Sequence, residues 1–209
     1  SSHLDPRCLL GVLGIESGRA EARSAAGGQR PLAEVCGESV LWECTTCMAC
    51  DDACPIGISP LSVVVDLRRE RVLDAARFPV PLRDLFGHLE RRGNPWGLPA
   101  VERDAWLTAA NAGHAADLRI LEPGGETEVL LWLGCMGGYD ARARDAVVAL
   151  AGLLRGAGVE YAILGPDEGC CGDPARRAGN ESLWRDLAER NLAVLATRSY
   201  GRIVTLCPH

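Results

Sequence analysis

The residues of this sequence that could do chemistry are its cysteines. The chain has 10 cysteines among 209 residues, and eight of them fall into two groups. In the first group, two residues separate the first cysteine from the second and the second from the third, and three residues separate the third from the fourth. Its members are Cys44, Cys47, Cys50 and Cys54, and Pro55 follows directly.

The spacing of the first group is that of a run ligating a [4Fe–4S] cluster. Two intervening residues let three thiolates converge on one cubane while backbone amides point at the sulfurs. Pro55 turns the chain away after Cys54, and in two-cluster proteins this fourth cysteine ligates the other cluster. Zinc prefers two CxxC pairs separated by a loop, and the sequence shows no secretory signal that would favour disulfides. We therefore predict that all four cysteines ligate [4Fe–4S] clusters.

The second group is dispersed along the chain but is predicted to meet in space. It consists of Cys135, the pair Cys170 and Cys171, and Cys207, each of which follows a predicted strand. Ligand sites of parallel α/β sheets form at the carboxyl edge, where these strand ends meet. Any one of the four could be a buried inert thiol, but four at strand ends indicate a metal site, with iron–sulfur or zinc both suited to thiolates.

Apolar periodicity indicates which elements position these cysteines. Ser59 and Pro60 predict the start of a helix over 60–76, and shorter helices are expected at 82–92 and 101–110. Strands are predicted at 128–133, 159–164 and 202–206, with helices beginning at Asp140 and Asp173 between them. Alternation of strands and helices with short connections predicts a parallel sheet with right-handed crossovers.

The fold class expected is an α-helical ferredoxin-like domain followed by an α/β domain with a parallel sheet. We place the first domain at residues 1–78, a proline- and glycine-broken connecting region at 79–125, and the cysteine-rich α/β domain at 126–209. The sequence starts without Met and stops just after a predicted strand, so we expect an internal fragment of a longer protein.

Composition excludes several classes of function. The net charge of −6 disfavours a nucleic-acid partner, because such binding requires cationic neutralisation of phosphates. No apolar stretch approaches the length of a membrane span. The sequence has no glycine-rich nucleotide motif after a strand, no phosphate-binding loop and no Ser/His/Asp arrangement, so no catalytic residue is assigned.

Three segments of the second group resemble the CCG cysteine-rich domain of heterodisulfide-reductase-like proteins. They are Gly134-Cys135, the stretch from Cys170 to Arg177, and Cys207-Pro208-His209. The segment from Leu41 to Cys47 resembles the second ferredoxin motif of the same proteins. The stretch Arg92-Gly93-Asn94-Pro95-Trp96-Gly97 resembles the linking segment of members that work with electron-transfer flavoprotein. The resemblance covers most of residues 36–209.

The resemblance implies parts that this sequence lacks. Relatives of this kind carry an earlier ferredoxin motif, often a membrane-embedded haem-binding section, and a second CCG repeat. The α/β domain would then be the first CCG repeat, truncated before the last cysteine of its closing CxxC pair. A cysteine outside this chain would complete the cluster of Cys44, Cys47 and Cys50, and Cys54 would serve the missing cluster.

The function implied is that of an iron–sulfur electron-transfer subunit. Electrons would arrive from a flavoprotein, either electron-transfer flavoprotein or a flavin dehydrogenase, and leave towards a membrane quinone or membrane subunit. The full-length protein would be cytoplasmic, at the inner face of the cell membrane. The CCG site would hold an iron–sulfur cluster, cubane or non-cubane, or zinc. The alternatives are reduction of a small disulfide at the CCG cluster, the iron–sulfur subunit of a glycolate or lactate oxidase, and a zinc-stabilised interaction module.

Overall fold

The computed structural model of the chain describes residues 37–112 and 117–207. The first 36 residues of the predicted helical domain, and the final Pro208 and His209, lie outside the described residues. The chain divides into two compact units. The first unit contains Ser1–Pro79 together with the short segment Arg177–Asn180, and the second contains Val80–Arg176 and Glu181–His209.

The described part of the first unit is helical. Its elements are α1 (Glu38–Glu43), α2 (Ala49–Asp52) and α3 (Pro60–Arg69), which continues into a π-helical turn at Glu70–Asp74. Ser59 caps α3 by accepting a hydrogen bond from the Ser62 N–H at 3.1 Å, and Pro60 occupies the first helical turn. Proline is tolerated there because its missing N–H would have no helical partner. The predicted helix over 60–76 is confirmed, with a change of pitch at Glu70.

The second unit contains three strands and six α-helices among its described residues. The strands are β1 (Glu126–Trp132), β2 (Tyr161–Ala162) and β3 (Ser199–Thr205). The helices are α4 (Val80–Arg92), α5 (Ala100–Ala112), α6 (Gly134–Tyr139), α7 (Ala141–Gly156), α8 (Asp173–Arg177) and α9 (Glu181–Leu195). The predictions of helices at 82–92 and 101–110 are confirmed.

The three strands form one parallel sheet, as predicted, and their order in it is β2-β1-β3. Leu130 of the central strand pairs with Ala162 on one side and Ile203 on the other. Successive residues of β1 are buried in two different hydrophobic clusters, with Val129 and Leu131 in one and Leu130 in the other. A strand covered on both faces is typical of parallel sheets. Because the three strands are parallel, their carboxyl ends lie at the same edge of the sheet.

Two predicted elements differ from the observed ones. The strand expected at 159–164 is reduced to Tyr161–Ala162, and a single bridge joins the next residue, Ile163, to Ile120. The helix expected to run on from Asp173 is two helices, α8 and α9, because Gly179 adopts φ +89° between them. A left-handed residue cannot continue a right-handed helix. Among the described residues, no helix is both long and apolar enough to cross a membrane.

Candidate metal centres

Three cysteines of the first group lie along an inward loop, whose N–H groups are directed at the sulfurs of Cys44 and Cys47. Cys44 ends α1, Cys50 lies in α2, and Cys47 lies between these two helices. Thr46 and Met48, the two neighbours of Cys47, have φ of 56° and 65°. Left-handed backbone is unusual for non-glycine residues, and most of all for a β-branched one. Left-handed residues in a turn direct neighbouring N–H groups into one concavity, an arrangement common at iron–sulfur sites.

The amides of this loop contact the cysteine sulfurs. The Thr46 N–H donates to Cys44 Sγ at 3.4 Å. The Ala49 N–H, which hydrogen-bonds to Cys47 Sγ, is the main cause that lowers the pKa of the Cys47 thiol. Burial raises the pKa of Cys50, whose thiol lies 3.5 Å from the Asp51 carboxylate. N–H donors of this kind stabilise thiolate ligands around a metal centre.

Cys54 follows α2 in a turn rather than in the inward loop. Its N–H donates to the Asp51 carbonyl at 3.3 Å, and its own carbonyl accepts from the Gly57 N–H at 3.2 Å. The assignment of all four cysteines as ligands stays a prediction.

Two arginines donate hydrogen bonds to the first loop and to the helix before it. Arg68, which is 5% exposed, donates to the carbonyls of Leu41 and Cys44 at 2.7 Å and 2.6 Å. Burial lowers the pKa of Arg68, yet a guanidinium remains protonated at any ordinary pH. Arg177 donates to the Thr46 hydroxyl and to the Thr45 carbonyl. Positive charge therefore lies next to the backbone that carries Cys44 and Cys47.

The structure brings together three of the four cysteines of the second group. Cys135 lies in α6 directly after β1, while Cys170 and Cys171 follow the β2 segment. Side-chain hydrogen bonds join Cys170 to Cys135 and to Cys171. Cys207 follows β3, and its Cβ is 3.8 Å from where a Cβ on Gly134 would lie. Three thiols therefore meet at the carboxyl edge of the sheet, and Cys207 follows β3 at the same edge.

The hydrogen bonds among these thiols set which sulfur carries negative charge most readily. The bond from Cys170 lowers the pKa of Cys171 to about 6 and also lowers the pKa of Cys135. The pKa of Cys170 is raised, because its proton is held by Cys135 and Cys171. Backbone donors add to this, since the Gly172 N–H lies 3.4 Å from Cys170 Sγ.

The donor set fits a thiolate-ligated metal group. Among the described residues, no three His, Cys, Asp or Glu side chains stand in the arrangement of a metal-ligand set, and the clustered thiols share protons with one another. Ligation requires those protons to leave, and the lowered pKa of Cys171 favours that loss. Soft sulfur donors with N–H groups directed at them suit iron–sulfur clusters or zinc.

A buried ion pair that the sequence analysis did not identify lies beneath the second group. Arg103 of α5 and Glu168 meet at 3.0 Å, with side-chain exposures of 6% and 0%. The two residues are 65 positions apart, so no local pattern could have linked them. Burial raises the pKa of the Glu168 carboxyl, while Arg103 acts to lower it.

The Gly93–Gly97 turn, known from sequence only by resemblance, also contacts the second site. The Gly93 carbonyl accepts the Cys170 N–H at 3.0 Å. Asn94 is fully buried and closes the turn by donating to the Leu98 carbonyl at 2.8 Å and accepting the Leu98 N–H at 3.0 Å. Trp96 packs on Tyr139 of α6 with ring centroids 6.3 Å apart. The turn therefore supports both the Cys170 loop and the helix that carries Cys135.

Comparison with known proteins finds one domain model and several longer proteins that this chain resembles. Residues 129–209 match the cysteine-rich domain called CCG. The chain is 38% identical over 202 residues to the "Probable iron-sulfur-binding oxidoreductase FadF" of Bacillus subtilis, covering 96% of this chain and 29% of that protein. It is 37% identical over 181 residues to the EtfAB:quinone oxidoreductase of Syntrophomonas wolfei, covering 87% of this chain and 25% of that protein.

A more distant relative is a subunit of the dihydromethanophenazine:CoB–CoM heterodisulfide reductase of Methanosarcina acetivorans. It is 26% identical over 168 residues, which are 78% of this chain and 38% of that protein. No solved structure matches the chain significantly. The chain thus spans well under half the length of these relatives. Its residues 129–209 match the CCG cysteine-rich domain, and the chain is similar to proteins named as iron–sulfur or quinone oxidoreductases.

Proposed function

We propose that this chain is an iron–sulfur electron-transfer part of an oxidoreductase that passes electrons from a flavoprotein towards a membrane quinone. The observation that carries the proposal is the gathering of the Cys135, Cys170 and Cys171 thiols at the carboxyl edge of the sheet. The first cysteine loop, with amides directed at its sulfurs, supports it independently.

In this proposal the two sites hold separate metal groups. Cys44, Cys47 and Cys50 would ligate a [4Fe–4S] cluster, Cys54 would serve a neighbouring cluster, and Cys135, Cys170, Cys171 and Cys207 would ligate the CCG group. Bound iron–sulfur clusters supply one-electron transfer. The chain's own residues hold the sulfurs, donate N–H bonds to them and place the Arg68 and Arg177 charges beside the first loop.

The names of two relatives support the partners and the location that we propose for the whole protein. The EtfAB:quinone oxidoreductase favours a flavoprotein donor and a quinone acceptor for the whole protein. Another relative, 38% identical over 169 residues, is named a "Probable membrane-anchored ferredoxin" of Chromohalobacter salexigens. We accordingly place the whole protein at the inner face of the cell membrane.

Disulfide reduction is the second candidate function. The heterodisulfide reductase relatives favour it, and the clustered CCG thiols offer a site for a small disulfide. Electron-transfer flavoprotein and a small-molecule disulfide are therefore the two reagents that separate the candidates.

The test is made on the complete protein, purified without oxygen. Iron, acid-labile sulfide and zinc per chain are measured with EPR of the reduced form, for wild type and for Cys47→Ser, Cys170→Ser and Cys8→Ser. Cys8 lies outside both cysteine groups and serves as the control. We expect the first two variants to lose different EPR signals, and Cys8→Ser to keep all of them.

If electron-transfer flavoprotein reduces the clusters, so that their EPR signals appear, and a quinone then reoxidises them, the proposed direction of electron flow is supported. A signal from the CCG site that changes only with a disulfide would support the second candidate instead. Zinc at the CCG site, with little iron and no reducible signal from Cys135, Cys170, Cys171 and Cys207, would overturn both.

A further inference from the structure

We propose that Glu168 is the positioning residue of the CCG site, where its carboxylate sets the distance between the loops that carry Cys135 and Cys170. The inference rests on the proposed function, in which these cysteines ligate a metal group. Glu168 would touch no metal itself and would act through the backbone on either side of it.

The carboxylate binds the backbone immediately before Cys135. One oxygen accepts the Leu133 N–H at 3.2 Å, and the other accepts the Gly134 N–H. These donors lie at the junction of β1 and α6, where Gly134 adopts φ +70°. The first N–H groups of a helix have no partner within the helix. The carboxylate therefore fixes the turn that places Cys135 at the sheet edge.

The backbone of Glu168 leads directly into the second loop. It lies two residues before Cys170, and its carbonyl accepts a hydrogen bond from Arg103. Asn191 of α9 holds the next two residues, because it accepts the Gly169 N–H at 3.3 Å and donates to the Cys170 carbonyl at 2.8 Å. Glu168 thus joins the two cysteine-bearing segments: its side chain binds the turn before Cys135, and its main chain leads into the loop of Cys170.

Arg103 completes the arrangement. Its guanidinium contacts the Glu168 carboxylate at 3.0 Å and the Gly134 carbonyl at 3.5 Å. The ring of Tyr139 at the end of α6 lies 5.9 Å away. The cation therefore contacts the same turn as the carboxylate, and it gives that fully buried group a partner of opposite charge.

Stability alone does not explain the pair. Desolvation of two charges consumes most of what their attraction contributes, and apolar side chains of similar volume commonly stabilise a fold equally well. What apolar side chains cannot do is accept the Leu133 and Gly134 N–H groups. The specific contribution of Glu168 is therefore the geometry of the Cys135 turn.

The test compares Glu168→Gln, Glu168→Leu with Arg103→Met, and Glu160→Gln in the anaerobically purified complete protein. Glu160 forms an exposed ion pair with Arg119 at 3.0 Å in the same unit and is the matched control. Alkylation rates of individual cysteines are followed by peptide mass spectrometry, iron per chain is measured, and thermal unfolding reports stability.

We expect the double variant to stay folded, with an unfolding temperature lowered only by the unpaired Leu133 and Gly134 N–H groups. We also expect Cys135, Cys170 and Cys171 to be alkylated about tenfold faster, because loss of a residue that orients metal ligands typically weakens metal binding at least about tenfold. Iron per chain should fall, while Cys44, Cys47 and Cys50 should keep their wild-type rates. Glu168→Gln should show a smaller increase, because its amide oxygen still accepts one of the two N–H groups, and Glu160→Gln should show none.

If Cys135, Cys170 and Cys171 of the double variant are alkylated as slowly as in the wild type, the positioning role of Glu168 is overturned. Equal loss of protection at both cysteine groups would also overturn it, since general destabilisation would then be the cause. If these cysteines react in the wild type as fast as in the urea-unfolded protein, the proposed metal site fails, and the inference fails with it.

Discussion

Arg68 satisfies three backbone carbonyls of the first unit with one guanidinium. It donates to the carbonyls of Leu41, Cys44 and Arg177, and it lies over the Trp42 ring at 5.4 Å. Lysine would carry the same charge but could not reproduce the planar fork that reaches several acceptors at once. The residue matters for the first loop because the Cys44 carbonyl is among those it binds.

Replacing Arg68 by Met is therefore expected to destabilise the first unit by about 3 kcal/mol, because charge-assisted hydrogen bonds are lost and buried carbonyls remain unpaired. Arg68→Lys should recover only part of this loss. The control is Arg77→Met, which removes an exposed ion pair with Glu38 and should cost less than about 1 kcal/mol. Urea unfolding measures each value, and equal effects of Arg68→Met and Arg77→Met would contradict the prediction.

Gly179 is a second single position on which the first unit depends. A Cβ there would lie 2.4 Å from the backbone carbonyl carbon of Arg68. Gly179→Ala combines this overlap with the cost of a left-handed alanine, so we expect a loss of about 3 kcal/mol or more. Gly158 has φ +70° with nothing within 4 Å of its Cβ position, and Gly158→Ala should cost only about 1–2 kcal/mol. Thermal unfolding of the two variants separates overlap from backbone strain.

At the scale of elements, local sequence signals predicted the start of a helix correctly where the residue just before the helix caps it with its own side chain. Asp140 accepts the Ala143 N–H at 2.9 Å at the start of α7, and Ser59 does the same for α3. The parallel sheet followed from the alternation of elements. The break at Gly179 was not predictable, because close approach to Arg68, more than 100 residues away in sequence, requires it.

In the candidate sites too, some residues could be predicted from the sequence and others could not. The cysteines follow from residue type and spacing, and their approach at the sheet edge follows from the predicted topology. Arg103 and Glu168 have no spacing signal, since charged residues in a sequence are ordinarily solvated. Their burial depends on the tertiary packing of α5 beneath the β1–α6 turn, which the sequence pattern does not contain.

Asp51 links the helix of Cys50 to the start of α3. Its carboxylate accepts the Leu61 N–H at 3.0 Å and the Ser59 hydroxyl, so it adds negative charge at a helix N-terminus. Asp51→Ala is expected to cost about 1–2 kcal/mol, the usual loss when a helix cap is removed. Asp52→Ala, on the exposed neighbour, should change the free energy of unfolding by less than about 0.5 kcal/mol. Equal losses in urea unfolding would show that Asp51 does not cap α3.

At the scale of the whole chain, the two units have unequal hydrophobic cores among the described residues. One core cluster of the first unit contains two buried residues, Leu41 and Val64, with Trp42, Cys44 and Leu67 packed against it. The second unit has a cluster around Val129, Leu131 and Val147, and another around Leu121, Leu130 and Leu164. A domain with little buried apolar surface depends on added cross-links such as a metal group.

Removal of metal from the anaerobic protein with a chelator is therefore expected to loosen the first unit before the second. Hydrogen exchange followed by mass spectrometry should show α1 and α3 exchanging at least about tenfold faster, corresponding to about 1.4 kcal/mol of lost stability. Peptides of β1 and α7 should keep most of their protection, because their burial between the two apolar clusters does not require the cysteines. Cys47→Ser without chelator should reproduce the loss in α1 and α3, since it removes a proposed ligand of the first site alone. A cooperative loss of protection in β1 together with α3 would contradict the prediction, because it would show that the metal groups stabilise the chain as one folding unit.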